Sequence, residues 1–314
     1  IYSAKVYLDN NPISEFVLDN ICYDDTRYIN AQIDYPMKSR GGGSVQHITP
    51  LPGAQDVVYN LFDGDGVIHL NDNNPHQVVV EVKDANGNTS KIQFTIQYDE
   101  SLKKTNSSTN AEKFSPHSIN IFERDHFELF TTEKTIYDTI NIAYNETNNN
   151  AANAVSPLFS FLNTAIPSHD TFTVRIKPTE NIPAEWKDRI VIKNISGSKT
   201  FVEKAQVQNG WYVAKFRQFG TFQLFIDNEP PTINNPATNL TNASRIVFVP
   251  HDNFNAIKNF NVELDGKWLR FSNDKGKVWI YYFDEHFPKG NHELKVTIED
   301  EAGNVTTKTW NVTR

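Results

Sequence analysis

Residues 292–312 read HELKVTIEDEAGNVTTKTWNV, and this stretch decides the fold. Leu294, Val296 and Ile298 alternate with Glu293, Lys295, Thr297 and Glu299, the period of two expected of a strand with one buried and one wet face. Asp300, Gly303 and Asn304 then supply residues that accept positive φ or bond their own backbone, so a turn is expected. Residues 305–312 return as a second strand with Trp310 as its heaviest side chain.

The same hairpin is written near the other end of the chain. His76, Val80, Asp84, Gly87, Asn88 and Phe94 stand 216 positions before His292, Val296, Asp300, Gly303, Asn304 and Trp310. An earlier match has a different offset: Ile1, Val6, Leu8 and Asp9 precede Ile257, Val262, Leu264 and Asp265 by 256. The first copy therefore carries 40 extra residues between its opening strands and its closing hairpin. Related β modules are expected at the two ends, the first with an insertion. Aligned on the last copy, the first is expected to lack roughly its first 25 residues, as a piece of a longer polypeptide would.

The 314 residues suffice for two or three domains. A mean hydropathy of -0.53 argues for soluble material, and no apolar run approaches the roughly 20 residues of a transmembrane helix. The net charge of -8 disfavours a nucleic-acid partner, which calls for a basic patch. With Cys22 alone, no intrachain disulfide can form.

Taken in order, residues 1–99 are expected to form a truncated Ig-like sandwich. Its opening hairpin turns at 9–12, and strands are expected at 29–35, 57–59 and 67–70 of the insertion. Residues 100–113 contain SLKKTNSSTNAEK, too polar to offset their ordering entropy, and read as a linker. Residues 114–228 are expected to form a second sandwich, with a polar loop at 145–153 and at most one helical turn at 183–186. Pro230 and Pro231 mark an extended connection, and residues 229–314 form the last Ig-like sandwich, with hairpin turns at Asp265-Gly266 and 274–276. Many short strands and almost no helix give the fold class: all-β, tandem immunoglobulin-like β-sandwich modules.

Two sets of residues then carry a resemblance. Residues 25–35 (DTRYINAQIDY), Leu51-Pro52-Gly53 and 84–89 (DANGNT) resemble the β module that follows the catalytic domain in lysostaphin-like zinc peptidoglycan endopeptidases of outer-membrane bacteria. Residues 137–140, 172–178, Gly210-Trp211 and Phe219-Gly220 look like the module after it. The resemblance covers nearly all of the chain. The catalytic zinc site of that family needs a His with Asp four positions on and a later His-x-His, leaving one open position for water. None of the nine histidines here has Asp at that distance, and no two are separated by a single residue.

No catalytic, cofactor-binding or metal-ligating residue is therefore expected, and no cofactor. The other constellations have plainer readings. Asp63-Gly64-Asp65-Gly66 reads as a turn, because Val67 stands where a calcium loop needs its third ligand. Asp84 and Asp300 could bind a metal between modules, but satisfying their own turn backbone is the simpler role. His169-Asp170 and His251-Asp252 are adjacent residues pointing to opposite faces, so neither is a dyad. Cys22 reads as a buried small side chain. Arg27, among Asp24, Asp25 and Asp34, reads as a partly buried ion pair. The Asn-x-Ser/Thr sites at Asn106 and Asn145 follow from composition. Trp211, Tyr212, Trp268, Trp279, Tyr281, Tyr282 and Trp310 could include a sugar-stacking platform, though alternation places most of them in packing. The insertion, with its GGGS loop, is a candidate docking surface for whatever precedes Ile1.

The resemblance implies a non-enzymatic accessory region of an exported cell-wall metallopeptidase, acting in spacing, positioning or partner binding. An upstream catalytic domain of the same polypeptide is then its partner, with peptidoglycan or an envelope protein as further candidates. The location is periplasmic, outer-membrane-associated or extracellular. The alternative is an adhesin-like or glycan-binding array with no enzyme attached.

Overall fold

The computed structural model describes residues 1–55, 57–102, 112–148 and 151–314. The fold is all-β, built of immunoglobulin-like sandwich modules. Among the described residues no helix is long and apolar enough to cross a membrane.

The two ends repeat one sheet. In the last module Ile257–Leu264 pairs antiparallel with Asn291–Asp300, which pairs with Val305–Thr313. In the first, Ser3–Leu8, His76–Lys83 and Thr89–Ile96 make the same ladder, with Val6 opposite Val80 and Val80 opposite Ile92 just as Val262 faces Val296 and Val296 faces Lys308. Positive φ at Asp9 and Asn10, and at Asp265 and Gly266, closes each opening hairpin in the sense that matches strand twist. The aspartate of each turn then clasps the closing hairpin. Asp9 accepts from the Gln77 amide at 2.8 Å and meets His76 Nδ1 at 2.7 Å; Asp265 accepts from Glu293 N at 2.8 Å and meets His292 Nδ1 at 2.7 Å.

The modules differ in what lies over the sheet. In the last, Arg245–Phe248, Val278–Tyr282 and Ser272–Asp274 form an opposing sheet, and Phe248 and Phe287 fill the core with Leu294, Val296 and Ile298, all fully buried. In the first, Tyr59–Leu61 adds to the edge of the same five-stranded sheet, and a small cluster of Phe16, Val58 and Tyr59 covers one side of it. Phe94 stays 46% exposed and Ile92 65%.

The middle module has two five-stranded sheets. One runs Tyr144–Thr147, Leu158–Phe161, Gly220–Ile226, Ile190–Ser196, Lys199–Lys204; the other runs Gln206–Gln208, Trp211–Phe216, Phe172–Ile176, Phe127–Phe130, Ile121–Glu123. Between them Phe127, Phe159, Phe161, Phe172, Phe219 and Phe222 are wholly or almost wholly buried, and aromatic packing of this kind carries a large share of core stabilisation.

The insertion departs from its expected strands. Residues 29–35 fold as the end of helix Thr26–Ala31 and the start of helix Tyr35–Ser39, not as a strand. Tyr28 and Ala31, three apart, bury together against Tyr137, and Asp34 caps the second helix through the Met37 amide at 2.9 Å, with Pro36 in its first turn. A few alternating residues could not outweigh that tertiary contact and cap. The strand expected at 57–59 forms two residues later, at Tyr59–Leu61, and none forms at 67–70. The polar loop expected at 145–153 opens with strand Tyr144–Thr147, paired to Leu158–Phe161. Residues 149–150 of that loop, and 103–111 of the expected linker, lie outside the described residues.

Candidate functional site

The features with chemistry gather at two junctions, both onto the middle module. At the first, the turn of the hairpin 291–313 enters the middle module's surface. Ala302 is fully buried against Val191 and Phe225, and its carbonyl accepts from Lys204 Nζ at 2.8 Å and Arg189 Nη1 at 3.3 Å. Asn304 Nδ2 donates to the Asp227 carbonyl at 2.9 Å, and the Phe254 ring lies 5.3 Å from that of Phe225. A buried turn whose carbonyl is held by two cations is a fixed joint.

Carboxylate oxygens of Asp227, Asp252 and Asp300 lie within 4.8 Å of one another here. Asp227 and Asp300 are almost wholly buried. Asp300 is occupied by its own turn, accepting from the Gly303 and Asn304 amides at 2.7 and 2.8 Å and from Asn304 Nδ2 at 2.9 Å. Asp227 accepts from Asn253 Nδ2 at 3.0 Å, and Asp252 caps the Phe254 and Ala256 amides at 2.9 and 3.0 Å while its Oδ1 is buried without a hydrogen bond. Burial pushes the Asp227 pKa up to about 6, with the Asp300 and Asp252 charges acting in the same direction; burial likewise raises that of Asp252. The spacing would suit a divalent cation bound by oxygen, and Asp227, Asp252 and Asp300 are the residues that could hold one. Asp300 is committed to its own turn through three of these bonds, while Asp252 keeps one oxygen unbonded.

At the second junction the helix Thr26–Ala31 of the insertion docks on the middle module. The Tyr28 ring stacks on His169 with centroids 4.2 Å apart, and Tyr137 Oη meets His169 Nδ1 at 2.9 Å. Burial lowers the His169 pKa and favours a neutral ring. The His169 carbonyl accepts from two guanidiniums, Arg27 Nη1 at 3.1 Å and Arg217 Nη1. Among the described residues neither arginine is in an ion pair. Both line a cavity of about 330 Å³ that adjoins two others, of about 550 and 710 Å³.

Several expectations change on this evidence of geometry. Arg27 is exposed and forms no ion pair with Asp24, Asp25 or Asp34, because the helix carries it toward the middle module. Part of the insertion expected to await a partner upstream is packed on the chain itself. Cys22 is exposed, not buried; its Sγ donates to Asp25 Oδ2 at 2.8 Å, a bond that raises the thiol pKa. Asp63 and Asp65 sit in a turn closed by Gly66 N to Asp63 O at 2.9 Å. Among the aromatics, Tyr212 and Tyr281 are buried, Trp211, Trp279 and Trp310 are half-buried, and Trp268 and Tyr282 are exposed. The Asn106 sequon lies outside the described residues; Asn145 is on an exposed strand. Sequence reasoning did not single out Asp227, Ala302 or Arg217. A signal for Ala302 exists: its twin position is Asn86, and an apolar residue at a turn tip needs cover.

Residues 111–227 match the model of a Zu5-like domain, and residues 226–313 match that of a bacterial Ig-like domain. No protein of curated function matches the chain. Among solved structures, fibronectin(III)-like modules of Clostridium thermocellum CbhA are similar at 13% identity over 46% of this chain and 85% of theirs, with a TM-score of 0.22. A Bacteroides ovatus SGBP-B, solved with a mixed-linkage heptasaccharide, aligns at 9% identity over 99% of this chain and 61% of its own, TM-score 0.19. A Ca2+-stabilized, ice-binding adhesin of an Antarctic bacterium aligns at 12% over 99% and 64%, TM-score 0.17. The chain thus spans under two thirds of the length of the latter two.

Proposed function

We propose that the chain is a non-catalytic positioning arm: an accessory region that holds a cell-wall metallopeptidase domain of the same polypeptide at a set distance and angle outside the cytoplasm. The observation that carries this reading is the buried joint at Ala302, where Lys204 and Arg189 both bind its carbonyl. Relative domain motion is the default for small polar interfaces, and a plugged apolar turn opposes it. Small-angle scattering of the chain and of Ala302→Lys tests the arm. One rigid envelope for the native chain and a broader distance distribution for the variant are expected; a native chain that already samples many inter-module angles contradicts it. The enzyme assignment fails if the polypeptide carrying this chain has no His-x3-Asp and His-x-His pair.

A second reading, glycan binding by the last module, is favoured by one feature. Trp268 is 68% exposed between two depressions of about 370 Å³ each, which also present Arg270, Asp284 and His286 on one side and Lys267 and Glu285 on the other. An exposed ring flanked by hydrogen-bonding groups suits a sugar face. Saturable binding to purified sacculi that Trp268→Ala abolishes supports this reading, and unchanged binding removes it.

A further inference from the structure

We propose that the trench between the inserted helices and the middle module recognises an acidic peptide segment, one in which a carboxylate neighbours a branched apolar side chain. It is independent of the arm proposed above, since a rigid joint at Ala302 needs no ligand here and a ligand here needs no joint there.

The charge argument comes first. The chain has 38 acidic residues against 30 basic ones, yet two arginines converge on one cavity without a carboxylate partner among the described residues. A guanidinium has five N–H donors in a fixed fork. Arg27 and Arg217 each give the His169 carbonyl one bond, and both line a cavity together with Asn30 and Gln218. Carboxylate is the anion whose geometry the fork matches in a peptide. The third cavity, next along the trench, adds Arg40 and Lys199, neither of which is in an ion pair among the described residues.

The arginine pair is also held in advance. Both bond the same carbonyl, and that residue is itself fixed by the Tyr28 stack and the Tyr137 hydroxyl. Ordering costs that a ligand would otherwise meet are reduced.

The neighbouring cavity selects what stands beside the carboxylate. It shares Ala31, Tyr35, Tyr137, Ile166 and Pro167 with the arginine cavity and continues to Leu51, Ile140 and Pro36. Asp34 and Asp138 also line it; Asp34 caps its helix, and Asp138 accepts from the Thr139 amide at 2.7 Å. His47, Thr139 and Asn141 line it too, and its apolar part, Leu51, Ile140, Ile166 and Pro167, receives a Leu, Ile or Val side chain, which a peptide supplies and an acidic sugar lacks. A peptide is favoured over a uronic-acid polymer on that ground.

Fluorescence polarisation tests the proposal on the intact chain. The probes are a labelled pool of capped tripeptides with Leu, Ile or Val beside Asp or Glu, its twin pool with Asn or Gln, and a galacturonic-acid trisaccharide. The acidic pool is expected to bind about tenfold or more tighter than the amide pool, a difference of charge-assisted bonds. Arg27→Gln, on an exposed residue, is expected to remove that preference in a chain that remains folded by circular dichroism. Ile166→Trp, which fills the apolar cavity, is expected to weaken the acidic pool while leaving Arg27 in place. Equal binding of the two peptide pools, no binding of either, preferential binding of the trisaccharide, or an undiminished preference in Arg27→Gln overturns it.

Discussion

The turns at 84–88 and 300–304 are one device in two settings. Asn88 N and Nδ2 bond Asp84 at 2.9 and 2.7 Å, and Asn304 N and Nδ2 bond Asp300 at 2.8 and 2.9 Å. Yet a Cβ on Gly87 would meet nothing within 4 Å, whereas one on Gly303 would come within 2.9 Å of Lys204 Nζ. The sheets behind them differ in the same way: Trp310 lies 5.7 Å from Phe248 of the opposing sheet, and its twin Phe94 is half-exposed. The local code for the hairpin is therefore complete in both copies. What separates a free turn from a joint is the tip residue, Ala302 against Asn86, and the surface it meets.

That difference can be tested pair by pair. Ala302→Arg forces a large charged side chain into the cluster of Val191 and Phe225 and is expected to cost about 3–5 kcal/mol in urea unfolding. Asn86→Arg, on the exposed twin, is expected to stay within about 0.5 kcal/mol. Similar costs for the two would break the comparison. Trp310→Ala should cost about 2–3 kcal/mol through lost packing, against less than about 1 kcal/mol for Phe94→Ala on its more open face. Asp300→Ala leaves the Asn304 amide without its acceptor in a buried site, at about 2 kcal/mol, and Asp84→Ala, whose amides can turn to water, is expected to cost less.

The joint should also respond to pH. The Asp227 carboxyl titrates at about 6 in the folded chain against an ordinary 3.8, so between those values the folded state binds the proton more tightly. Its contribution to stability is full below about pH 4, declines as the pH rises to 6, and is flat above that. Asp227→Asn should remove that part of the melting-temperature profile; an unchanged profile would show that another group causes it. The smallest effect belongs to the opening clasp. Hydrogen bonds that His76 donates to Asp9 and Asp72 raise its pKa above 6.5, so the clasp stabilises fully below 6.5 and fades as pH passes the raised value. His76→Gln should flatten that shallow slope in a thermal melt series.

Much of this was readable from residues alone. Alternation fixed Trp211–Phe216, Phe172–Ile176 and Phe127–Phe130 to the residue, because those strands are half in the core and half out. The insertion was not readable: Thr26–Ala31 is a helix held by Tyr28 on His169, over 140 positions away, and no local pattern records a partner that distant. Leu158–Phe161 was missed as well, a four-residue apolar strand directly after Pro157. The junction residues divide the same way. Asp300 was visible through its turn, but its neighbours Asp227 and Asp252 come together only when the modules dock.

Amide hydrogen exchange at the paired turns bears most directly on the joint. The Asn304 amide bonds the Asp300 carboxylate at 2.8 Å just as the Asn88 amide bonds that of Asp84 at 2.9 Å, so a gap in protection between these two amides reports burial by the middle module rather than the turn. Exchange at Asn304 slower than at Asn88 by about a hundredfold or more is the predicted result. Equal rates at the two turns would mean that the last hairpin is as free as the first.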